Sequence, residues 1–246
     1  MKRTLLAVLL VAACAHAPTD ASAAAPAIFR GSANFTNHYF VVGDRVVIVD
    51  SGTKGRAKRI EREIQRIGRT PLDVSLVVLT HAHADHAGSA KELQERLDVP
   101  VAVGVGDLPT LAEGHNPPLR PASKLGKRLR PFIRSKYPPM VPDIVVRQPM
   151  DLRPYGVDGE IVPLGGHTPG SLAVVLRSGE VLSGDLVRGK IVAKHEPVEH
   201  FFQDDVTAAH GALASLLARG ARVFHPGHGG PLAAADVAAW LGVSAK

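Results

Sequence analysis

His81-Ala82-His83-Ala84-Asp85-His86 follows directly on the apolar run Val74–Leu79 and Thr80. Three imidazoles and a carboxylate within six residues, at the end of a buried-strand signal, put nitrogen and oxygen donors on one loop. A neutral imidazole offers one lone pair while its other ring N–H is held by a neighbour, so this residue mix points to a metal site. Three further loops carry the same donor types after strand-like runs: Gly166-His167-Thr168-Pro169-Gly170, Ser183-Gly184-Asp185 and Pro226-Gly227-His228-Gly229. Glycine and proline let the backbone turn sharply there. Each loop alone is a weak signal, because a single histidine in a glycine-rich turn is more often structural. Four strand-end loops that together supply five histidines and two aspartates are a strong one.

Working outward, Thr36–Val42 and Arg45–Asp50 read as two strands joined by a hairpin at Gly43-Asp44. Ile60, Ile64 and Ile67 recur at helical spacing among charges, which predicts a surface helix over 54–67. Ser89–Leu97 reads as a helix and Val99–Val103 as a strand. Ile161–Leu164, Leu172–Leu176 and Glu180–Ser183 read as consecutive strands. Val206–Ala218 reads as a helix, Arg222–Phe224 as a short strand and Ala233–Trp240 as a last helix. Strands and helices alternate without a long linker, so the expectation is one α/β domain over 28–246.

Asn116–Pro142 departs from this pattern. It holds Arg120, Lys124, Lys127, Arg128, Arg130, Arg134 and Lys136, no acidic residue and many prolines. It reads as a basic insertion or flap between core strands, either a solvated loop or a surface for anionic lipid or an anionic substrate.

Of the 246 residues, 45% are hydrophobic and 21% charged, which supports a core and excludes wholesale disorder. Aromatics are only 4%, so Ala, Val and Leu must build that core. A single cysteine excludes an intrachain disulfide framework and a thiolate-cluster metal site. The net charge of +6 permits anionic partners without requiring them.

Lys2 and Arg3 precede the apolar run Leu5–Ala13, which is too short to span a bilayer and fits the hydrophobic region of a signal peptide. Val11-Ala12-Ala13-Cys14 resembles the lipobox of bacterial lipoproteins, in which the cysteine receives lipid and becomes the new N-terminus. The expectation is a signal peptide over 1–13, a flexible tether over 14–27, and an exported protein anchored in the cell envelope through Cys14. A periplasmic or secreted form without lipid is the alternative.

The donor loops together resemble the metallo-β-lactamase superfamily, over about Asn34–Leu232. Asp50-Ser51-Gly52 matches the family's opening motif, an aspartate that closes a strand before a glycine turn. The resemblance implies a four-layer αββα sandwich with metals along one edge. It implies that His81, His83 and His167 hold one metal, that Asp85, His86 and His228 hold a second, and that Asp185 bridges them. Asp50 would orient ligands without binding metal. Seven nitrogen and oxygen donors suit two zinc ions, with iron or manganese as the alternatives. Two cations roughly 3.5–4 Å apart share a water and lower its pKa to around 7. The implied activity is a hydrolase acting on an ester, thioester, lactone, amide or phosphodiester of a small molecule, with Asp85 handling the proton of the attacking water. A single-iron dioxygenase acting on persulfides and an exported β-lactamase are the alternatives. The β-lactamases of the all-histidine subclass lack the bridging aspartate that Asp185 fills, and the superfamily's RNA-processing nucleases are cytoplasmic, so no nucleic-acid partner is expected. Among the remaining histidines, His225 reads as structural. His195 and His200 lie in the loop after Asp185, where the family contacts substrate.

Overall fold

The computed structural model describes residues 25–33, 35–133 and 135–244. The signal-like run, Cys14 and most of the tether lie outside them, as does Arg134 of the basic segment. Side-chain alternation along the strands sorts the molecule into layers. The first sheet is β1 (Ala27–Ala33), β2 (Thr36–Val42), β3 (Val46–Val49), β4 (Val74–Val78), β5 (Val101–Gly104) and β6 (Ile144–Val146), hydrogen-bonded in that order. Phe40, Val46 and Ile48 point to one face and pack with Ile60 and Ile64 of α1 (Ala57–Arg66) and Leu93 of α2 (Ala90–Leu97). Tyr39, Val41, Val47 and Val49 point to the other face.

The second sheet runs β14 (Leu232–Ala233), β13 (Val223–Pro226), β10 (Glu180–Gly184), β9 (Leu172–Leu176), β8 (Gly159–Pro163) and β7 (Met150–Asp151). Ile161, Leu172, Val174 and Leu182 meet the inner face of the first sheet. Its outer face, with Ala173, Val181 and Phe224, is covered by α5 (Val206–Ala218) and α6 (Ala234–Leu241). The result is the αββα sandwich. The Asp205 side chain caps α5 by accepting the Ala208 N–H at 2.9 Å.

Several elements lie beyond the sequence reading. β1 pairs antiparallel with β2 over seven residues, in a segment without a strand-like apolar run. β11 (Arg188–Gly189) and β12 (Pro197–Val198) form a small ribbon. Between β5 and β6 lie α3 (Leu108–Glu113) and α4 (Lys124–Leu129).

Strand direction places the site. β8 is antiparallel to β9, β9 is antiparallel to β10, and β10 is parallel to β13. The C-terminal ends of β8, β10 and β13 therefore share one edge. Hydrogen bonds stitch the sheets together there: Leu172 N–H donates to the Thr80 carbonyl at 2.7 Å, and Asn37 N–H to the Gly227 carbonyl at 2.7 Å. The Tyr39 hydroxyl and Asn37 Nδ2 both donate to the Pro226 carbonyl.

Candidate metal centre

β4 runs into His81, β8 leads to His167, β10 ends next to Asp185 and β13 leads to His228. The sandwich brings these loops together, and with them all seven side chains anticipated as donors. The donor atoms of His81, His83 and His167 lie within 4.8 Å of one another, as do those of Asp85, His86 and His228. Asp185 lies at the hub. Its Oδ2 is 3.9 Å from His81 Nε2, 3.4 Å from His86 Nε2, 3.7 Å from His167 Nε2 and 3.3 Å from His228 Nε2.

Each of these rings is held from behind through Nδ1. His86 Nδ1 is 2.8 Å from Asp50 Oδ2. His81 Nδ1 lies 3.1 Å from the Thr80 hydroxyl, whose own proton is directed at Asp50. His167 Nδ1 faces the Phe202 carbonyl at 3.0 Å, and His228 Nδ1 faces the Phe35 carbonyl at 2.8 Å. These acceptors assign the proton to Nδ1 and turn Nε2 inward. His81 Nε2, His86 Nε2 and Asp185 Oδ1 are buried without a hydrogen-bond partner. Such orphaned polar atoms are costly unless something binds them, and their chemistry fits a hard or borderline cation.

Asp50 stands behind this group, in contact with both His86 and Thr80. Its φ is +65°, a left-handed conformation that aspartate tolerates better than most residues. Its Oδ1 also accepts the Thr80 N–H at 2.8 Å.

Burial pushes the His81, His83 and His200 imidazoles down, the latter two to about 3. Burial works against a charge on His86 and His228 too. There the facing carboxylates, Asp185 foremost, outweigh it and raise both, His228 to about 10. Desolvation likewise opposes the charge of Asp85, yet His86 and His228 hold its carboxyl well below the usual carboxylate range. Asp85, with a side chain 35% exposed, and His228, at 20%, mark the open side of the centre.

The sequence reading missed several supports. Asp107, just past β5, accepts hydrogen bonds from Ala82 N–H, Gly170 N–H and the Thr168 hydroxyl, tying the loop of His81 to that of His167. It carries the same strand-end signal as the donors. Gln203 Oε1 lies 3.2 Å from His167 Nδ1. The Thr36 hydroxyl donates to Asp85 Oδ2 at 3.0 Å.

Segment 116–142 is tied to the histidine loop and to the core. At its ends, Asn116 Oδ1 accepts the Ala84 N–H at 2.7 Å, the Tyr137 hydroxyl donates to the Ala82 carbonyl at 2.6 Å, and Tyr137 and Met140 are buried in the core. Proline-rich composition hides these contacts, because they depend on where the chain returns. Lys124, Leu125, Lys127 and Arg128 of α4 face solvent, with Phe132 81% exposed.

The remaining histidines separate cleanly. His225 lies on β13 and meets Glu180 at 3.2 Å, away from the donors. His195 is exposed against the Pro231 carbonyl, whereas His200 lies inside the cluster, its Nε2 3.2 Å from Asp185 Oδ2.

The profile of the metallo-beta-lactamase superfamily matches residues 31–228. The chain belongs to this superfamily. Among its relatives, the probable metallo-hydrolase YflN of Bacillus subtilis is 28% identical over 207 residues, covering 76% of each chain. The probable metallo-hydrolase YqgX of the same organism is 30% identical over 182 residues, covering 73% of this chain and 79% of the relative. The solved structure of TTHA1623 in a di-iron-bound form is 27% identical with a TM-score of 0.61, covering 87% of this chain and 96% of that one. This superfamily member is thus a metallo-hydrolase homologue with a clustered set of candidate ligands.

Proposed function

We propose that the chain is a dinuclear metal-dependent hydrolase that opens an ester, thioester, lactone, amide or phosphodiester bond in a small molecule. His81, His83 and His167 would hold one cation, Asp85, His86 and His228 the other, with Asp185 facing both. The observation that carries this reading is the arrangement of imidazoles anchored outward at Nδ1 and converging through Nε2 on Asp185 Oδ2. A pair of divalent cations bound there supplies Lewis acidity and hydroxide near neutral pH.

The chain's own residues prepare the reaction. The Nδ1 anchors fix the rings in advance, so little reorganisation is needed as charge develops. Asp85 stands on the open side and is ionised, so it accepts a hydrogen bond from the attacking water and directs its lone pair. The Thr36 hydroxyl fixes the Asp85 carboxylate through Oδ2. Substrate enters from the Asp85–His228 side, because the other donors are buried.

Zinc suits a donor set of imidazole and carboxylate without thiolate. The di-iron form of TTHA1623 supports iron as the second candidate. Elemental analysis of purified protein, beside assays on lactones, thioesters, phosphodiesters and β-lactams, tests the proposal. Two metal equivalents and metal-dependent hydrolysis are expected. One iron per chain with oxygen uptake on persulfides would establish the dioxygenase instead, and intact metal binding without turnover would leave a binding protein.

We also propose export and lipid anchoring at Cys14, supported by the Val11-Ala12-Ala13-Cys14 motif. No helix among the described residues is long and apolar enough to cross a membrane. Mass spectrometry of the membrane fraction is expected to find a lipid-modified N-terminus at Cys14, and an unmodified terminus elsewhere would reject it.

A further inference from the structure

Among the described histidines outside the seven-donor set, all but one find partners away from the cluster. His38 pairs with Glu63, His115 with Glu113, His210 with Glu199 and His225 with Glu180, and His195 meets a backbone carbonyl. His200 is the exception. It is 5% exposed, and its ring packs edge-on to His167 at 4.8 Å and stacks on His228 at 5.4 Å.

His200 is built like the ligands. Its Nδ1 lies 2.9 Å from the Phe202 carbonyl, the same oxygen that holds His167 Nδ1 at 3.0 Å. A carbonyl oxygen can only accept, so this contact puts the proton on Nδ1 and leaves a lone pair on Nε2. The Phe202 N–H approaches the same Nδ1 at the longer distance of 3.3 Å. One backbone oxygen therefore turns two imidazoles toward the same point. His200 Nε2 comes closer to Asp185 Oδ2, at 3.2 Å, than any of the four imidazoles around that oxygen described above. A lone pair facing a carboxylate oxygen across that gap is repulsive when nothing lies between them, and a shared cation turns the repulsion into coordination. The donor atoms of His167, Asp185 and His200 lie within 4.8 Å of one another, the same limit that the anticipated ligand groups meet.

We propose that His200 is an eighth donor of the metal centre, contributing Nε2 on the His167–Asp185 side. The proposal rests on the reading of this site as a metal centre. It makes the centre richer in imidazole, and it assigns the loop after Asp185 a metal-holding role beyond that of a wall. Two of the donors, His167 and His200, then depend on the conformation of a single peptide, that of Phe202.

Two variants of the full chain separate coordination from hydrogen bonding. In His200→Asn the short amide can still donate to the Phe202 carbonyl, but nothing reaches the position of Nε2. In His200→Gln an amide reaches that position and can donate to Asp185. Metal release is measured by competition with a chromophoric chelator, and coordination by the visible absorption of the Co(II)-loaded protein. Both variants are expected to release one metal equivalent at least about tenfold more readily and to shift the Co(II) bands, in line with the cost of disturbing a metal shell. Unchanged affinity and spectra in both, or full restoration by glutamine, would overturn the proposal and leave His200 a hydrogen-bonding wall. If a variant does not fold, nitrogen-15 imidazole NMR of the unmodified Zn(II)-loaded protein decides. A metal-shifted His200 Nε2 resonance is expected, and an unshifted one overturns the proposal. An unmodified chain that takes up no metal at all would sink the metal-centre reading itself, before any variant is made.

Discussion

At the scale of single residues, the centre depends on what stands behind the donors. Asp50 accepts from the Thr80 N–H and hydroxyl and from His86 Nδ1. Replacing it with alanine strands a buried N–H and frees the His86 ring. Asp50→Ala is expected to cost about 1–3 kcal/mol of stability and about 10–100-fold in metal affinity. Denaturant unfolding of the metal-free chain and chelator competition check the two figures separately, and an unchanged affinity would remove Asp50 from its orienting role. A second residue-scale prediction concerns protons. With His228 raised to about 10 by Asp185 and Asp85, the metal-free cluster carries a proton on that ring at pH 8. A cation binding there must displace it. Uptake is therefore expected to release at least about one proton per chain and to weaken as pH falls, because the competing protonated form gains population. Calorimetric titration in two buffers of different ionisation enthalpy reads this directly, and identical heats would contradict it.

At the scale of elements, the site is a set of strand ends, and the one at Gly227 has no room for an extra atom. A Cβ on Gly227, between β13 and His228, would stand 2.2 Å from Asp185 Oδ1 and 2.5 Å from His86 Cε1. Gly227→Ala is expected to cost roughly 1–3 kcal/mol through overpacking and to impair metal binding without removing a donor. Circular dichroism beside metal analysis tests this, and normal loading would show that the loop yields. The strands and helices with strong periodicity were legible in the residues: Val206–Ala218 is helical over the range anticipated, and α1 buries Ile60 and Ile64. β1 was not, because an edge strand is held by backbone pairing to β2 and needs no apolar pattern of its own. The ends of 116–142 were not either. Nothing local distinguishes Asn116 or Tyr137 from the solvent-facing residues between them, and only the returning chain sets them against the loop of His83.

At the scale of the whole molecule, the sandwich stands on three apolar clusters, none of them made of the donors. Fold stability and metal loading should therefore separate. His83→Ala is expected to lose hydrolysis and at least one metal, while the melting temperature of the metal-free protein moves by no more than about 2–4 °C, the shift that 1 kcal/mol produces in a domain of this size. Scanning calorimetry of the metal-free parent and variant checks it, and a collapsed melting transition would show that the histidine loop is part of the core.

The candidate donors and their places at the ends of strands were legible in the sequence alone, because ligand chemistry and strand-end loops are local properties. Tertiary structure alone decided which ring nitrogen faces inward, that Asp185 Oδ2 is the hub, that Asp107 and Asn116 brace the histidine loop, and that His200 joins the cluster while His195 does not. These outcomes depend on loops that are distant along the chain and meet only when two sheets pack face to face. No local pattern records the direction in which a side chain arrives.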